Sequence, residues 1–249
     1  MTAPSPTAAI LVIGNEILSG STQDANISYI AKHMNQRGIR IMEVRVVADI
    51  PAAIIAAVNA LRAAYTYVFT TGGIGPTHDD ITADCVAEAF GTRIDVRDDA
   101  RAILQAYYDA QGVQINEARL RMARIPDGAT LIDNPVSAAP GFKIGNVFVM
   151  AGVPKIMQSM LLHVDQMTEG GAPVLARTIA CNQKEGDVAF TLGDIQKRYA
   201  DIDIGSYPRN GNNPSLLLIL RGTDAAQLDA ATAEVANMVR AQGEEPTLS

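Results

Sequence analysis

Cysteine is scarce: 249 residues contain two. Cys85 and Cys181 are far apart and belong to no Cys-x-x-Cys pair, which excludes a zinc knuckle and a disulfide framework; a reducing cytoplasm is the expected location. Basic residues are outnumbered, with 20 Lys and Arg against 27 Asp and Glu and a formal net charge of −7. No stripe of Lys and Arg offsets that balance, so a nucleic-acid backbone would meet a field of the wrong sign, and nucleic acid is not an expected partner. A small phosphorylated ligand is not excluded, because backbone amides and a bound cation supply local positive potential that net charge does not register. Long apolar runs are missing too. The stretch from Ala8 to Ile13 ends in Gly-Asn-Glu, and the opening MTAPSPTAA has no basic segment, so neither export nor membrane insertion is expected. There is no internal repeat and no low-complexity tract. No Gly-x-Ser-x-Gly elbow and no Cys with a nearby base pattern points to covalent catalysis.

What the chain does have is apolar substance, at 48% hydrophobic against 19% charged residues, enough to offset the entropy of ordering a compact fold. Its length suits one medium domain with a smaller companion. Residues 9 to 13 read as a strand buried on both faces, closed by Gly14. Asp24 is placed to cap a helix with Ile27, Ile30, Ala31 and Met34 on one face and Gly38 as its stop. A strand over 39 to 47, a helix opening at Pro51 and a strand over 67 to 71 follow. Repeated strand-then-helix units imply a parallel sheet with right-handed crossovers, which binds ligands beyond the carboxyl ends of its strands. Helices are read over 79 to 90 and over 98 to 122, the second outside the sheet. Residues 142 to 144 and 147 to 150, joined through Gly145-Asn146, read as a hairpin adding antiparallel strands at one edge. A helix after Pro154 closes a first domain over 1 to 168, and TEGGAP at 168 to 173 marks a boundary. Residues 173 to 249 read as strand 174 to 181, helix 187 to 199, strands 202 to 207 and 215 to 221, and helix 224 to 241. The expected architecture is α/β with a mostly parallel sheet, followed by a small α+β unit of β-α-β-β-α order.

The chemistry concentrates after the third strand. In Thr71-Gly72-Gly73-Ile74-Gly75-Pro76-Thr77, three glycines let backbone approach a ligand and present amide hydrogens to an anion. The segment is not a P-loop, since no Gly-Lys-Ser/Thr follows, and it lacks the Gly-x-Gly-x-x-Gly spacing of a dinucleotide fold. A tight strand-to-helix turn would use the same residues. Asp79 and Asp80 beside it can hold a divalent cation that bridges phosphate oxygens, although Thr77 and Asp80 also satisfy the capping-box spacing. The first loop places Gly14, Asn15, Glu16, Asp24 and Asn26 on the same rim. Asp24 has a capping task; Glu16 has no obvious structural one. Asp49, at the end of the second strand, is on that rim as well, with a possible cap role for the Pro51 helix. His33 and His163 lack ligand-spaced partners and read as surface or packing residues.

GNEILSGSTQDAN, VVAD, TTGGIGPTHDDIT, AFG, NPVSAAPGF and AGVPKIMQSM, in that order, resemble the molybdopterin-binding domain of the competence/damage-inducible protein A family, over about residues 8 to 165. The tail from 173 resembles the small KH-type domain that follows in that family, and nothing here resembles its third, amidohydrolase domain. The resemblance implies a three-layer α/β/α fold, assembly as a homo-oligomer, and a nucleotide or pterin held at the glycine loop. Ala139, Pro140 and Gly141 are then expected on the ligand rim, and Asp49 and Asp80 match the catalytic acids of the wider superfamily. The implied activity is metal-dependent hydrolysis, with Mg²⁺, Mn²⁺ or Co²⁺, of a pyrophosphate bond in ADP-ribose or FAD. The alternatives are binding or adenylylation of molybdopterin, and nucleotide sensing without catalysis. Two departures bear on substrate identity: Ser137-Ala138 stands where many relatives carry Gly-Thr, and Met122 where Gln is common.

Overall fold

The computed structural model describes residues 5 to 209 and 211 to 249. Its centre is β1 (Thr7–Ile13), buried at every position from Ala8 onward, which a strand achieves only with neighbours on both edges and cover on both faces. Parallel partners flank it, β2 (Arg40–Val47) on one side and β3 (Tyr67–Thr71) on the other. The remaining strands of this six-stranded sheet are β8 (Val147–Met150), β7 (Gly141–Ile144) and β6 (Thr130–Ile132), in the order β2-β1-β3-β8-β7-β6. The hairpin expected at 142 to 150 is present as β7 and β8. β8, however, runs parallel to β3 and extends the parallel core; the antiparallel pairings are confined to β7 with its two neighbours.

Because side chains alternate along a strand, β1 feeds two separate cores. Ile10 and Val12, with Phe69 and Phe148, pack against Ile30 and Met34 of α2 (Asn26–Gln36) and Met160 and Leu161 of α7 (Pro154–Val164). Leu11, Ile13 and Val149 face the other way, toward Ile54 and Val58 of α3 (Pro51–Ala64), Val86 of α4 (Thr82–Phe90) and Leu104 of α5 (Asp98–Ala110). Helices on both faces of a mostly parallel sheet give the three-layer α/β/α arrangement.

Two helix boundaries differ from the sequence expectation. α4 starts at Thr82, not near Asp79, because residues 77 to 80 close on themselves first. Asp80 N donates to Thr77 O at 3.3 Å, while the Asp80 carboxylate accepts from Thr77 N at 2.8 Å. The expected helix over 98 to 122 is two helices, α5 and the short α6 (Glu117–Arg121), separated by Gly112 at φ 66. They lie between β4 (Ile94–Val96) and β5 (Arg124–Pro126), which pair with each other in a ribbon separate from the main sheet. A single turn, α1 (Asn15–Leu18), follows β1.

The chain divides into two compact units, Met1–Gly171 and Ala172–Ser249. The second contains β9 (Leu175–Cys181), α8 (Glu185–Arg198), β10 (Asp203–Pro208), β11 (Leu216–Gly222), α9 (Ala225–Ala241) and β12 (Thr247–Leu248). Its strands form one antiparallel sheet in the order β10-β11-β9-β12. The core alternates cleanly: Leu216, Leu218 and Leu220 are buried and meet Val188 and Ile195 of α8 and Leu228 and Val235 of α9. β12, two exposed residues long, is too short to carry a legible pattern.

Candidate functional site

β1 lies between β2 and β3, so the chain leaves it toward one edge and returns past it to the other. This reversal opens a crevice at the carboxyl ends of β1 and β3, the place where open α/β sheets bind ligands. The glycine loop begins there. Gly72 and Gly73 adopt φ 102 and φ 67, and their missing side chains serve the loop's own packing. A Cβ on Gly72 would stand 2.1 Å from the Ile13 carbonyl oxygen, and one on Gly73 2.2 Å from the Thr82 hydroxyl. Thr82 fixes the bend from below: its hydroxyl donates to Gly72 O at 3.0 Å, and its amide to Gly73 O at 3.0 Å. The bend is therefore built on contacts to its own chain, as a tight strand-to-helix turn of these residues would be. What the bend leaves over is polar. Among the described residues nothing accepts a hydrogen bond from the amides of Gly73, Ile74 and Gly75, an array suited to an anion.

The expected acids fall into two groups on this rim. Asp80 folds back onto the loop: its Oδ2 accepts from both the amide and the hydroxyl of Thr77 and stands 2.7 Å from where a Cβ on Gly75 would be. Asp79 is exposed. The Thr77 hydroxyl beside it, and then its own backbone amide, hold its carboxyl below the ordinary aspartate value. The second group surrounds the tip of β1. Asp49 Oδ2 accepts from Asn15 N at 2.8 Å, tying the ends of β1 and β2 together. It does not cap the Pro51 helix, which has no side-chain cap. The Glu16 carboxylate curls back over Gly14, within 2.5 Å of the place a Cβ there would occupy. Asp24 does cap α2, accepting from Ile27 N at 2.9 Å. No group of three or more His, Cys, Asp and Glu side chains among the described residues could by itself hold a metal ion.

Asn26, on the first turn of α2, is 5% exposed and donates to Gly152 O at 2.8 Å. Gly152 follows β8, and a Cβ on it would come within 3.2 Å of Gly72 Cα, so three loops meet here. The buried side-chain polar atoms that lack a partner among the described residues are Asn26 Oδ1, Thr70 Oγ1, Thr71 Oγ1, Arg121 Nε and Arg124 Nε. All five belong to this end of β3 and the segments around it. Each such atom costs on the order of 1–3 kcal/mol, and native folds concentrate that cost where function requires it.

On the far side of the glycine loop a cleft opens, lined by Gly73, Gly75, Asp80, Arg121, Arg124 and Pro140 among others. Of the expected rim residues 139 to 141, Pro140 reaches it. Ala139 packs against the apolar core, and Gly141 starts β7, where a Cβ would meet Val149 O at 2.4 Å. The loop before β7 is organised by Asn134, whose Oδ1 accepts from the amides of Val136 and Ser137 and whose Nδ2 donates to Ser137 Oγ and Ala139 O. Cys85, below the cleft in α4, is no nucleophile. Burial, then Asp84 and Glu88, push its thiol up to about 11, so the reactive thiolate is absent at neutral pH.

With this geometry, comparison with known proteins is specific. A family profile described as "Probable molybdopterin binding domain" matches residues 9–168. The chain belongs to that family. Within this molybdopterin-binding-domain family it is CinA-like: the solved structure of CinA from Thermoplasma acidophilum, a protein of unknown function, is 32% identical with a TM-score of 0.60, covering 65% of this chain and 98% of that one. A CinA-like protein of Citrifermentans bemidjiense is 40% identical over 157 residues, 61% of this chain and 38% of that protein. A "Probable FAD synthase" of Caenorhabditis briggsae is 33% identical over 233 residues, 83% of this chain. The chain spans 44% of the length of that relative.

The small unit requires a correction. It was expected to be KH-type, but residues 173–246 match the profile "FAD synthase, middle domain". The structure gives the physical reason. A KH clamp is a Gly-x-x-Gly loop, and here β9 and β10 are joined by the single helix α8, with no such loop among residues 173 to 249. Among the described residues no helix is long and apolar enough to cross a membrane. Sequence reasoning named the two loops that meet at this rim but did not single out Arg121, Thr82, Asn134 or Gly152. Thr82, Asn134 and Gly152 sit inside segments that carry the family resemblance; Arg121 comes from a distant segment that carries no local signal.

Proposed function

We propose that the first unit binds a pyrophosphate-linked nucleotide of the ADP-ribose or FAD type and hydrolyses its P–O–P bond with the help of a divalent cation. The observation that carries this reading is the run of unengaged amides at Gly73, Ile74 and Gly75, at the switch point of the sheet and beside the carboxylates of Asp79 and Asp80. These amides bind one phosphate. Asp79 and Asp80 would hold the cation: hard oxygen donors, too few to cage it alone, suit an ion of the Mg²⁺ type. Bound there, the cation neutralises phosphate charge. Asp49 and Glu16 orient water toward phosphorus from the β1 side and take up its proton. Water adds to one phosphorus and the bridging oxygen leaves with the other phosphate, giving AMP and ribose 5-phosphate from ADP-ribose, or AMP and FMN from FAD. Relatives named as FAD synthases, and the match of the second unit to the middle domain of such proteins, support a flavin or adenine nucleotide as the ligand.

Incubating the protein with ADP-ribose or FAD and Mg²⁺, Mn²⁺ or Co²⁺ tests the reading. AMP is expected, abolished by chelation and reduced at least a hundredfold in Asp80→Asn and Asp49→Asn. If wild-type turnover does not exceed that of Asp80→Asn, hydrolysis is not the activity. The family description favours a second reading, in which the same cradle holds molybdopterin and the chain binds or adenylylates it. Retention of pterin on the purified protein, with ATP consumed in its presence, would select that reading.

A further inference from the structure

Arg121 ends α6 and lines the cleft beside the glycine loop. Its neighbour Arg124 is ion-paired with Asp84. Arg121 makes no ion pair with a described residue. Its guanidinium donates once, from Nη2 to the Asp80 carbonyl at 3.3 Å, and its Nε is buried with no partner among the described residues. A buried guanidinium N–H without an acceptor is costly, and a planar guanidinium without a carboxylate in a cleft shared with unengaged amides creates a site for a multiply charged oxyanion such as a phosphate. In the same cleft Asp84 answers the charge of Arg124, although the Arg124 Nε is also buried without a partner among the described residues, while Asp80 Oδ2 is occupied by Thr77.

We propose that Arg121 is a phosphate-binding residue, reaching from the α6–β5 side across the glycine loop to the diphosphate of the ligand, so that loop amides and guanidinium hold the anion from opposite sides. This deepens the nucleotide reading above and names the group recognised, a diphosphate. A guanidinium here also stabilises the negative charge that collects on the phosphate leaving the bridge. Being on a different element from the acids, it contributes to binding whether or not the cation is present.

The test is calorimetric titration of the full chain, without divalent cation, by ADP-ribose and by inorganic pyrophosphate. Arg121→Gln retains an amide able to donate to the Asp80 carbonyl while removing the charge; Arg121→Lys retains charge without the fork; Arg101→Gln, on the exposed side of α5, is the control. For both ligands Kd is expected to rise about tenfold to a hundredfold in Arg121→Gln, less in Arg121→Lys, and not at all in Arg101→Gln, with Tm unchanged throughout. Unchanged Kd in Arg121→Gln overturns the assignment, as does failure of the wild type to bind either ligand. A loss of Tm matching the loss of affinity would make Arg121 a structural tie instead. Hydrolysis is read separately as AMP release: binding that depends on Arg121 without AMP removes the hydrolytic reading and leaves this one standing.

Discussion

Ala138 is the one described non-glycine residue in a left-handed conformation, at φ 61. Its amide is held by Asn134 O at 2.9 Å, so the turn keeps its shape against the roughly 1–2 kcal/mol that a Cβ costs there. Ala138→Gly is therefore expected to stabilise the fold by about 0.5–1 kcal/mol after the added unfolded-state entropy is subtracted, readable as a higher midpoint in urea. At Glu43, Arg45 and then Tyr65 lower the carboxyl by hydrogen bonding, while Glu43 in turn raises Tyr65. A depressed acid contributes stability above its ordinary range and loses it as pH falls through the lowered value; a raised phenol contributes below its ordinary value and loses it as pH climbs through the raised one. The 2.9 Å Tyr65–Glu43 hydrogen bond thus operates only between these limits. Tyr65→Phe should melt below wild type between about pH 5 and pH 9, with the deficit closing at both extremes in a series of thermal scans.

For elements, the decisive question is what a glycine's missing Cβ would touch. Gly72 and Gly128 both have positive φ, 102 and 79, yet a Cβ on Gly72 meets the Ile13 carbonyl whereas one on Gly128 meets nothing within 4 Å. Gly72→Ala is expected to cost about 2–4 kcal/mol, since the clash is with backbone of the adjacent strand tip; Gly128→Ala should cost only about 1 kcal/mol. Equal losses in chemical denaturation would show that the loop is not wedged against β1. The β3 strand and the turn after it were legible because five β-prone residues run straight into the glycines. The start of α4 was not, because the capping-box spacing of Thr77 and Asp80 describes a turn at 77 to 80 as well as it describes a helix start, and only the capture of Thr82 by the Gly72 and Gly73 carbonyls decides between them. The break near Gly112 was obscured in the same way, by amphipathic sequence on both sides of it.

Across the whole molecule, the two units have cores with no shared residue. The second is built from Ile179, Leu218, Leu220, Val235 and their neighbours, and the first from two layers on opposite faces of β1. A contiguous core with its own sheet is the condition for autonomous folding, even near the small end of the domain range. Residues 172 to 249, expressed alone, are expected to be monodisperse and to unfold in one cooperative transition. A broad, non-cooperative melt with poor amide dispersion would show that this unit needs the rest of the chain.

The sequence by itself determined the alternating strands and helices of the first unit, the β-α-β-β-α order of the second, and the placing of Gly14, Asn15, Glu16, Asp49, Asp79 and Asp80 on one rim, because strand direction and crossover topology follow from local pattern. Tertiary structure alone decided that Asp49 is spoken for by Asn15 N, whereas the Asp24 cap of α2 and the Thr77–Asp80 pairing were open to reading from spacing. It alone brought Arg121 across from a segment about forty residues downstream. The reason is physical. Periodicity records which face of an element is buried, whereas hydrogen-bond partners and unpaired charges are fixed only once distant segments pack, and no local pattern carries that information.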